Sequence, residues 1–142
     1  MPAGPEIQPG PYVLDTHALF AFLQQEPGID LVAALIERAA VDVTLNLSLI
    51  NFGEIAYITE RERGPDQSAQ ILEDIRRLPI ILREVSETRV LDAARVKARY
   101  AVSYADAFAI ALAQELSAIV VSGDPEFKTA REIVSVLWVE LD

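Results

Sequence analysis

Four acidic residues of this 142-residue sequence lie where their carboxylates could share a divalent metal ion: Asp15, Glu54, Asp106 and Asp124. Asp15 directly follows a predicted strand, Asp124 follows another through Ser122-Gly123, and the other two lie in the first turns of predicted helices. In open α/β sheets, ligands bind in the crevice beyond the carboxyl ends of the strands. We therefore expect separate segments of the chain to bring all four groups to one crevice.

Such a cluster would have a clear electrostatic consequence. Two unpaired carboxylates about 5 Å apart repel each other by roughly 3 kcal/mol at an effective dielectric constant of about 20. Four of them would not stay ionised together without a compensating cation, and hard ions such as Mg²⁺ or Mn²⁺ prefer oxygen ligands. These ions retain water that can become a nucleophile, and they stabilise charge on a scissile phosphate. The pattern predicts metal-dependent hydrolysis.

Each acid also has an ordinary structural interpretation, because acidic residues are common at helix N-termini. Asp106 with Ser103 fits a capping box, and Asp124 before a proline fits an N-cap. Asp15 is the hardest to explain in this way, since it directly follows the apolar run Tyr12 to Leu14. Taken singly, the acids leave both interpretations open.

The composition narrows the possible chemistry. The chain has no cysteine and a single histidine, His17, which excludes disulfides, zinc–thiolate sites, thiol catalysis and multi-histidine metal centres. We interpret His17 as a packing or capping residue rather than a catalytic one. The net charge of −10 indicates either an acidic surface that aids solubility or carboxylates gathered to hold cations.

The chain has the overall character of one soluble globular domain, with 51% hydrophobic and 24% charged residues. No apolar run approaches the length that crosses a bilayer, and the N-terminus lacks the features of a signal peptide. We expect a cytoplasmic protein without a membrane partner. We divide the chain into a flexible N-terminal arm at 1–11, rich in proline and glycine, and a single folded domain at 12–142.

Apolar periodicity predicts strands that alternate with helices. The predicted strands are 12–14, 41–45, 80–83, 118–121 and 136–139. The predicted helices are 16–24, 29–40, 48–61, 65–77, 86–100 and 103–116, with Pro27-Gly28 separating the first two. This alternation indicates parallel pairing and an α/β sandwich.

Four motifs resemble those of PIN-domain nucleases, in order and spacing, over almost the whole chain. They are LDTHAL at 14–19, NFGEI at 51–55, SYADAFAIALA at 103–113 and VSGDPEF at 121–127. Any one of them is weakly specific, whereas four in the expected order form a strong signal. Within this family, the short single-domain chain is most similar to the VapC-type toxins of bacterial and archaeal toxin–antitoxin pairs.

The resemblance implies a three-layer α/β/α sandwich around a mostly parallel sheet. It also implies an endoribonuclease that depends on Mg²⁺ or Mn²⁺ and hydrolyses RNA phosphodiesters with a metal-activated water. Carried over residue by residue, the metal-binding and catalytic acids are Asp15, Glu54, Asp106 and Asp124. The partners implied are an RNA substrate, a second copy in a homodimer and a cognate antitoxin protein.

Polar neighbours of the acids are candidates for orienting carboxylates or water molecules. They are Thr16, Asn51, Ser103 and Ser122, the last at a position where the family often has threonine. Glu126 could supply a further carboxylate, but we expect it in a solvated helix turn.

Antitoxins of this class usually insert a helix or an extended tail into a groove. The apolar residues Phe20, Phe22 and Leu23 of the first predicted helix either line such a groove or belong to the core, and the core is the commoner outcome for residues of this kind.

The RNA substrate must approach a chain with excess negative charge. Basic residues occur in two local groups, Arg61 with Arg63 and Arg95 with Lys97 and Arg99. Solvated helix faces account for both groups. The alternative is that Arg61 and Arg63 flank the crevice and hold RNA phosphates.

Two other classes of function compete with the nuclease. One is a PIN-like protein-binding module without catalysis, which the loss of any of the four acids would have favoured; all four are present. The other is an aspartyl-phosphate enzyme, since Asp15 ends the first strand. The haloacid-dehalogenase family needs a second aspartate two residues later, where this chain has His17.

Overall fold

The structure is a computed structural model that describes residues 7–25 and 29–139. Within these residues the chain forms five strands, six α-helices and one short 3₁₀ helix. The strands are β1 (Tyr12–Leu14), β2 (Leu45–Ser48), β3 (Ile80–Arg83), β4 (Ile119–Ser122) and β5 (Val136–Trp138). The helices are α1 (Thr16–Leu23), α2 (Ile29–Ala39), α3 (Leu49–Arg63), α4 (Pro65–Arg76), α5 (Glu87–Arg99) and α6 (Tyr104–Leu116), and the 3₁₀ helix is Pro125–Ala130.

The strands form one sheet in the order β3-β2-β1-β4-β5, and every pair is parallel. Successive residues of β1 alternate between its two faces, as the geometry of a strand requires. Val13 belongs to a buried cluster with α5 and α6, whereas Tyr12 and Leu14 belong to a second cluster with α1, α2 and α3. Helices therefore cover both faces, and the predicted three-layer α/β/α fold is confirmed.

The predicted position of the second strand, 41–45, is wrong, because β2 begins only at Leu45. The amides of Val41, Asp42 and Val43 all donate to the Arg38 carbonyl, at 3.0, 2.9 and 3.1 Å, and form a turn that ends α2. Val41 is 84% exposed, so its β-branched side chain finds no strand to join. Tertiary context has overridden local strand propensity here.

The observed second strand is hard to recognise from the sequence because it contains a polar residue, Asn46, which is fully buried. The Asn46 amide donates to the Tyr12 carbonyl at 2.9 Å, and its side-chain oxygen accepts from Arg83 Nε at 2.8 Å. Both partners are remote in sequence and both compensate a polar group that would otherwise be costly to bury.

Helices α1 and α3 begin immediately beyond the carboxyl ends of β1 and β2, whereas α6 follows α5, and all three begin at a side chain that caps them. Asp15 and Ser48 accept hydrogen bonds from Ala18 and Ile50 at the starts of α1 and α3. Ser103 accepts from the Asp106 amide at the start of α6. These caps satisfy amides of the first turn that have no partner within the helix, and they bring the helix N-termini to the edge of the sheet where the acids lie.

The predicted arm and domain limits lie partly beyond the described residues. Positions 1–6 of the arm, the Pro27-Gly28 break and positions 140–142 fall outside them. Residues 7–11 precede the first strand; the Ile7 carbonyl accepts from Arg38 Nη1 at 3.0 Å and the Gln8 carbonyl accepts from the Tyr12 hydroxyl at 2.5 Å. Among the described helices, none is long and apolar enough to cross a membrane.

Candidate active site

A cavity of about 350 Å³ lies at the carboxyl edge of the sheet and collects all four predicted acids. Asp15 reaches it from the end of β1, Glu54 from α3, Asp106 from α6 and Asp124 from the end of β4. The remaining lining residues are Thr16, His17, Phe20, Ile58, Ser103 and Glu126. Segments up to 109 residues apart in the chain thus converge on one acidic pocket.

Asp15 is held rigidly by the chain around it. Its side chain is buried, Oδ1 accepts from the Ala18 amide at 2.7 Å, and Oδ2 accepts a short hydrogen bond from the Ser122 hydroxyl. Ser122 Oγ in turn accepts from the Asp124 amide at 2.9 Å. Ser122 therefore links the first acid to the loop that carries the fourth. The capping interpretation of Asp15 is confirmed, and the same carboxylate also lines the acidic cavity.

Burial raises the pKa of Asp15 to about 7, because the charged form is poorly solvated inside the protein. The hydrogen bonds from Ser122 and Ala18 favour the charged form and oppose this shift. The neighbouring charges of Asp124 and Glu54 raise the pKa further. Without a cation, Asp15 is thus partly protonated near neutral pH.

The pKa of Asp106 is raised further than that of Asp15. Asp106 is only 6% exposed, and its Oδ2 atom has no hydrogen-bond partner within the described structure. Burial, and after it the charge of Asp15, raises the pKa of Asp106 to about 8; Glu126 and Asp124 add to the shift. Buried polar atoms without partners are rare and often mark a place where an ion or water binds. The free oxygen of Asp106 is such an atom.

Glu126 departs from its expected position in a solvated turn. It is half-buried, and one carboxylate oxygen each of Asp106, Asp124 and Glu126 lie within 4.8 Å of one another. The Glu126 amide donates to Asp124 Oδ1 at 2.9 Å, which folds the 3₁₀ helix back toward the cavity. The Asp-Pro-Glu run at 124–126 is the sequence feature that could have indicated this position for Glu126, because an N-cap aspartate accepts a hydrogen bond from an amide of the first turn.

This donor set fits a hard divalent cation. All three clustered groups offer carboxylate oxygens, the ligands that Mg²⁺ and Mn²⁺ prefer. The cluster lies in the same cavity as Asp15 and Glu54, and the partnerless Asp106 oxygen is one of its members. A bound cation would offset the repulsion that raises the two carboxyl pKa values.

Asn51 and Thr16 form a buried support behind the acids. Asn51 Nδ2 donates to Thr16 Oγ1 at 3.2 Å and makes a longer contact of 3.5 Å with the Ala105 carbonyl. Asn51 therefore connects the first turns of α1, α3 and α6, which lie close in sequence to Asp15, Glu54 and Asp106. Its Oδ1 atom is buried without a partner in the described residues.

His17 packs closely over Gly123. A β-carbon added at Gly123 would lie 2.6 Å from His17 Cε1 and 3.2 Å from the Val139 carbonyl oxygen. The imidazole therefore occupies the space that a side chain at position 123 would need. This geometry agrees with the expectation of a packing role, and the ring also forms part of the cavity wall.

The apolar and basic candidates are placed differently. Phe20 lines the acidic cavity, whereas Phe22 and Leu23 are half-buried against the core cluster shared by α1, α2 and α3. Arg61 and Arg63 are exposed near the end of α3 and do not line that cavity. The Arg61 guanidinium lies over the Tyr57 ring, 5.2 Å from its centroid.

Comparison with protein families matches residues 12–133 to the PIN domain. No curated protein matches the chain. The match covers all five acidic residues of the cavity.

Comparison with solved structures shows the same fold in several bacterial proteins, among them a VapBC complex and a VapC toxin. VapBC2 from Rickettsia felis, bound to a promoter DNA fragment, has a TM-score of 0.70 at 15% identity, covering 91% of this chain and 98% of that one. The sarcin–ricin loop cleaving toxin VapC20 of Mycobacterium tuberculosis has 0.68 at 15%, covering 84% and 94%. FitAcB from Neisseria gonorrhoeae has 0.65 at 22%, covering 89% and 96%. At these identities the likeness is one of fold.

Proposed function

This chain belongs to the PIN domain family, and on that premise we propose that it is a metal-dependent endoribonuclease, the toxin of a toxin–antitoxin pair. The proposal rests on the clustered carboxylates of Asp106, Asp124 and Glu126 and on the partnerless buried oxygen of Asp106. A surface that needed only solubility would not place two carboxyls where burial and like charge raise their pKa values to about 7 and about 8.

The proposed cofactor is Mg²⁺ or Mn²⁺, held by Asp106, Asp124 and Glu126 with Asp15 and Glu54 in the same cavity. Such a cation supplies an activated water at neutral pH and offsets charge on a phosphate. This chemistry needs no histidine or thiol, which agrees with a chain that has one histidine and no cysteine.

The chain's own groups have distinct roles in this proposal. Ser122 holds the Asp15 carboxylate in one orientation through its hydroxyl. Asn51 and Thr16 fix the helix starts that carry the acids. Glu54 is half-buried on α3 and lines the acidic cavity, where its carboxylate could accept a proton from the nucleophilic water. Ser103 caps α6 and so sets the position of Asp106.

The proposed partners follow from the proteins that share the fold. Several of these are toxin–antitoxin complexes, and one is a toxin that cleaves the sarcin–ricin loop. For this chain we propose an RNA substrate, a cognate antitoxin, a homodimer and action in the cytoplasm. We retain the division into an arm at 1–11 and one domain at 12–142. Arg61 and Arg63 stay candidates for phosphate contacts outside the cavity.

The test is cleavage of a panel of structured RNAs by the purified protein with Mg²⁺, with Mn²⁺ and with excess chelator, beside Asp124→Asn. Asparagine keeps the shape of the side chain and removes its charge, so folding is preserved while cation binding is weakened. We expect cleavage only with metal and only by the parent protein. Cleavage that survived the chelator would contradict the metal-dependent mechanism. Absence of cleavage with either metal would favour the catalytically silent protein-binding module.

A further inference from the structure

A second cavity, of about 430 Å³, lies outside the acidic one beside the edge strand β5. Its lining residues are Lys128, Arg131, Val134, Ser135, Val136 and Trp138. None of these lines the acidic cavity. We refer to this surface as the basic–aromatic hollow.

The hollow combines two cations with the single tryptophan of the chain. Lys128 and Arg131 are exposed, and within residues 7–25 and 29–139 neither forms an ion pair. Glu132, the acid next to Arg131, faces Tyr100, where burial and then this carboxylate raise the pKa of the phenol. No carboxylate of the described residues pairs with these two cations, so they are suited to bind an anion.

The ring of Trp138 is partly exposed at the end of strand β5. Trp138 is 36% exposed, while Val136, two residues earlier on the same face of β5, packs against the buried cluster of α5 and α6. An indole ring that is partly exposed beside two cations offers a flat apolar surface on which a planar ligand can stack.

The hollow adjoins the acidic cavity through the backbone. Trp138 is the β5 partner of Ser122 in β4, and the Val139 amide donates to the Ser122 carbonyl at 2.9 Å. The Ser122 hydroxyl in turn is bonded to Asp15. On the other side, Lys128 follows the clustered Glu126 by two residues in the same 3₁₀ helix.

We propose that the basic–aromatic hollow binds single-stranded RNA next to the cleavage centre, with a base stacked on Trp138 and flanking phosphates paired with Lys128 and Arg131. This inference rests on the proposed function. A chain of net charge −10 repels a phosphate backbone, so local cations must supply the attraction. Stacking needs a base whose face is free, which selects an unpaired segment over a duplex.

The tryptophan offers a direct readout, because the intrinsic indole fluorescence of this chain comes from Trp138 alone. We would titrate the parent protein with a short oligouridylate in excess chelator at low salt, where no cleavage is expected. Saturable quenching is the expected result. Unchanged fluorescence would overturn the inference, whether or not labelled RNA binds by anisotropy. A fluorescence change with the cognate antitoxin but not with RNA would assign the hollow to a protein partner and would likewise overturn it.

Substitutions separate stacking from charge. By anisotropy with labelled RNA, Trp138→Ala should weaken binding about 5- to 150-fold, the usual range for loss of one stacked base, with an unchanged salt slope. Trp138→Phe keeps an aromatic face and should restore most of the affinity. Lys128→Gln with Arg131→Gln should reduce the salt slope by about 1.4, from roughly 0.7 for each single-strand phosphate contact.

The matched control removes the same charge at the end of α4 with Arg76→Gln and Arg77→Gln, both exposed beside Glu73. Equal salt slopes for this control and the Lys128/Arg131 variant would overturn the inference. In cleavage assays the Lys128/Arg131 variant should raise KM and leave kcat near that of the parent. Quenching by RNA without cleavage in any metal would contradict the nuclease alone, whereas cleavage with unperturbed Trp138 fluorescence would contradict the hollow alone.

Discussion

The two ends of helix α6 carry acids whose titration is shifted in opposite directions. At its start, burial and neighbouring acids raise the pKa of Asp106 to about 8. At its end, the hydrogen bond from Arg89 lowers the pKa of Glu115. The helix dipole alone would favour an anion at the start and disfavour one at the end. The surroundings therefore dominate the dipole at both ends.

The two acids differ in whether the protein supplies a cation: Glu115 has one in Arg89, and Asp106 has none among the described residues. Arg89 Nε and Nη2 donate to the two Glu115 carboxylate oxygens, both at 2.9 Å. Asp106 has no cationic partner in the described structure and faces Asp124 and Glu126 instead. Of the two acids, only the one at the start of α6 lacks a cationic partner within the described residues.

The largest effect expected of this contrast is on catalysis. Asp106→Ala should reduce RNA cleavage about a thousandfold, since a cation site supplies several kcal/mol of charge stabilisation and each 1.4 kcal/mol is tenfold in rate. Glu115→Gln should cleave at nearly the parent rate, because its carboxylate serves the fold. Initial rates with saturating Mn²⁺ measure both. Equal losses of cleavage rate in the two variants would show that the two ends of α6 do not differ in their importance for catalysis.

The pH dependence of stability should differ at the two ends. Between about pH 4 and pH 8 the metal-free folded protein keeps protons on Asp15 and Asp106 that the unfolded chain has released. The free energy of unfolding should therefore fall as pH rises through this range, by on the order of 4 kcal/mol for Asp15, whose pKa moves from 3.8 to about 7. Glu115 acts oppositely: its contribution is present above pH 4.5 and is lost as pH falls below it.

Thermal melting in chelator from pH 5 to pH 8 tests this dependence. Asp106→Asn should flatten the curve, since the amide does not titrate, whereas Glu115→Gln should leave the slope in this range unchanged. A melting temperature of the parent that did not fall between pH 5 and pH 8 would show that Asp15 and Asp106 ionise as ordinary surface acids, because such acids are charged in both the folded and the unfolded chain over this range.

Metal binding should stabilise one end of α6 and not the other. At pH 8, Mg²⁺ or Mn²⁺ at a hundred times its Kd should add about 2.7 kcal/mol to the free energy of unfolding. That gain corresponds to roughly 5–10 °C in a chain of this size. Glu115→Gln should keep the shift and Asp124→Asn should lose it. Identical metal-induced shifts in all three proteins would place the cation elsewhere.

The smallest effect concerns the ion pair itself. The side chains of Arg89 and Glu115 are 24% and 37% exposed, so solvent screens their attraction. A double-mutant cycle with Arg89→Gln and Glu115→Gln should give a coupling of about 0.5–1 kcal/mol in urea denaturation, without loss of cleavage. A coupling of several kcal/mol would show that solvent does not screen this ion pair and that it is a major contribution to stability.

The acids could be located from the sequence because each has a local signature. Asp15 follows a short apolar strand, and Asp106 opens an alanine-rich helix capped by Ser103. In a parallel sheet all such positions meet at one edge. Helix limits were likewise close to those observed, since serine caps mark the starts of α3, α5 and α6.

What the sequence could not supply depends on contacts between distant segments. The strand at Leu45–Ser48 was displaced in the prediction because Asn46 is satisfied by Tyr12 and Arg83, 34 and 37 residues away. Glu126 joins the cluster only because the 3₁₀ helix turns back on Asp124. The pairing of Trp138 with Ser122 depends on strand order, which periodicity does not encode.

Gly123 carries no charge, yet the shape of the acidic cavity depends on its lack of a side chain. Its hydrogen leaves just enough room for the His17 ring that forms part of the wall, and a methyl group there would displace that ring. A saturation library scored by toxicity in cells would therefore rank position 123 beside the acids. Only a parallel score for protein abundance and metal uptake would separate the residue that shapes the crevice from the residues that charge it.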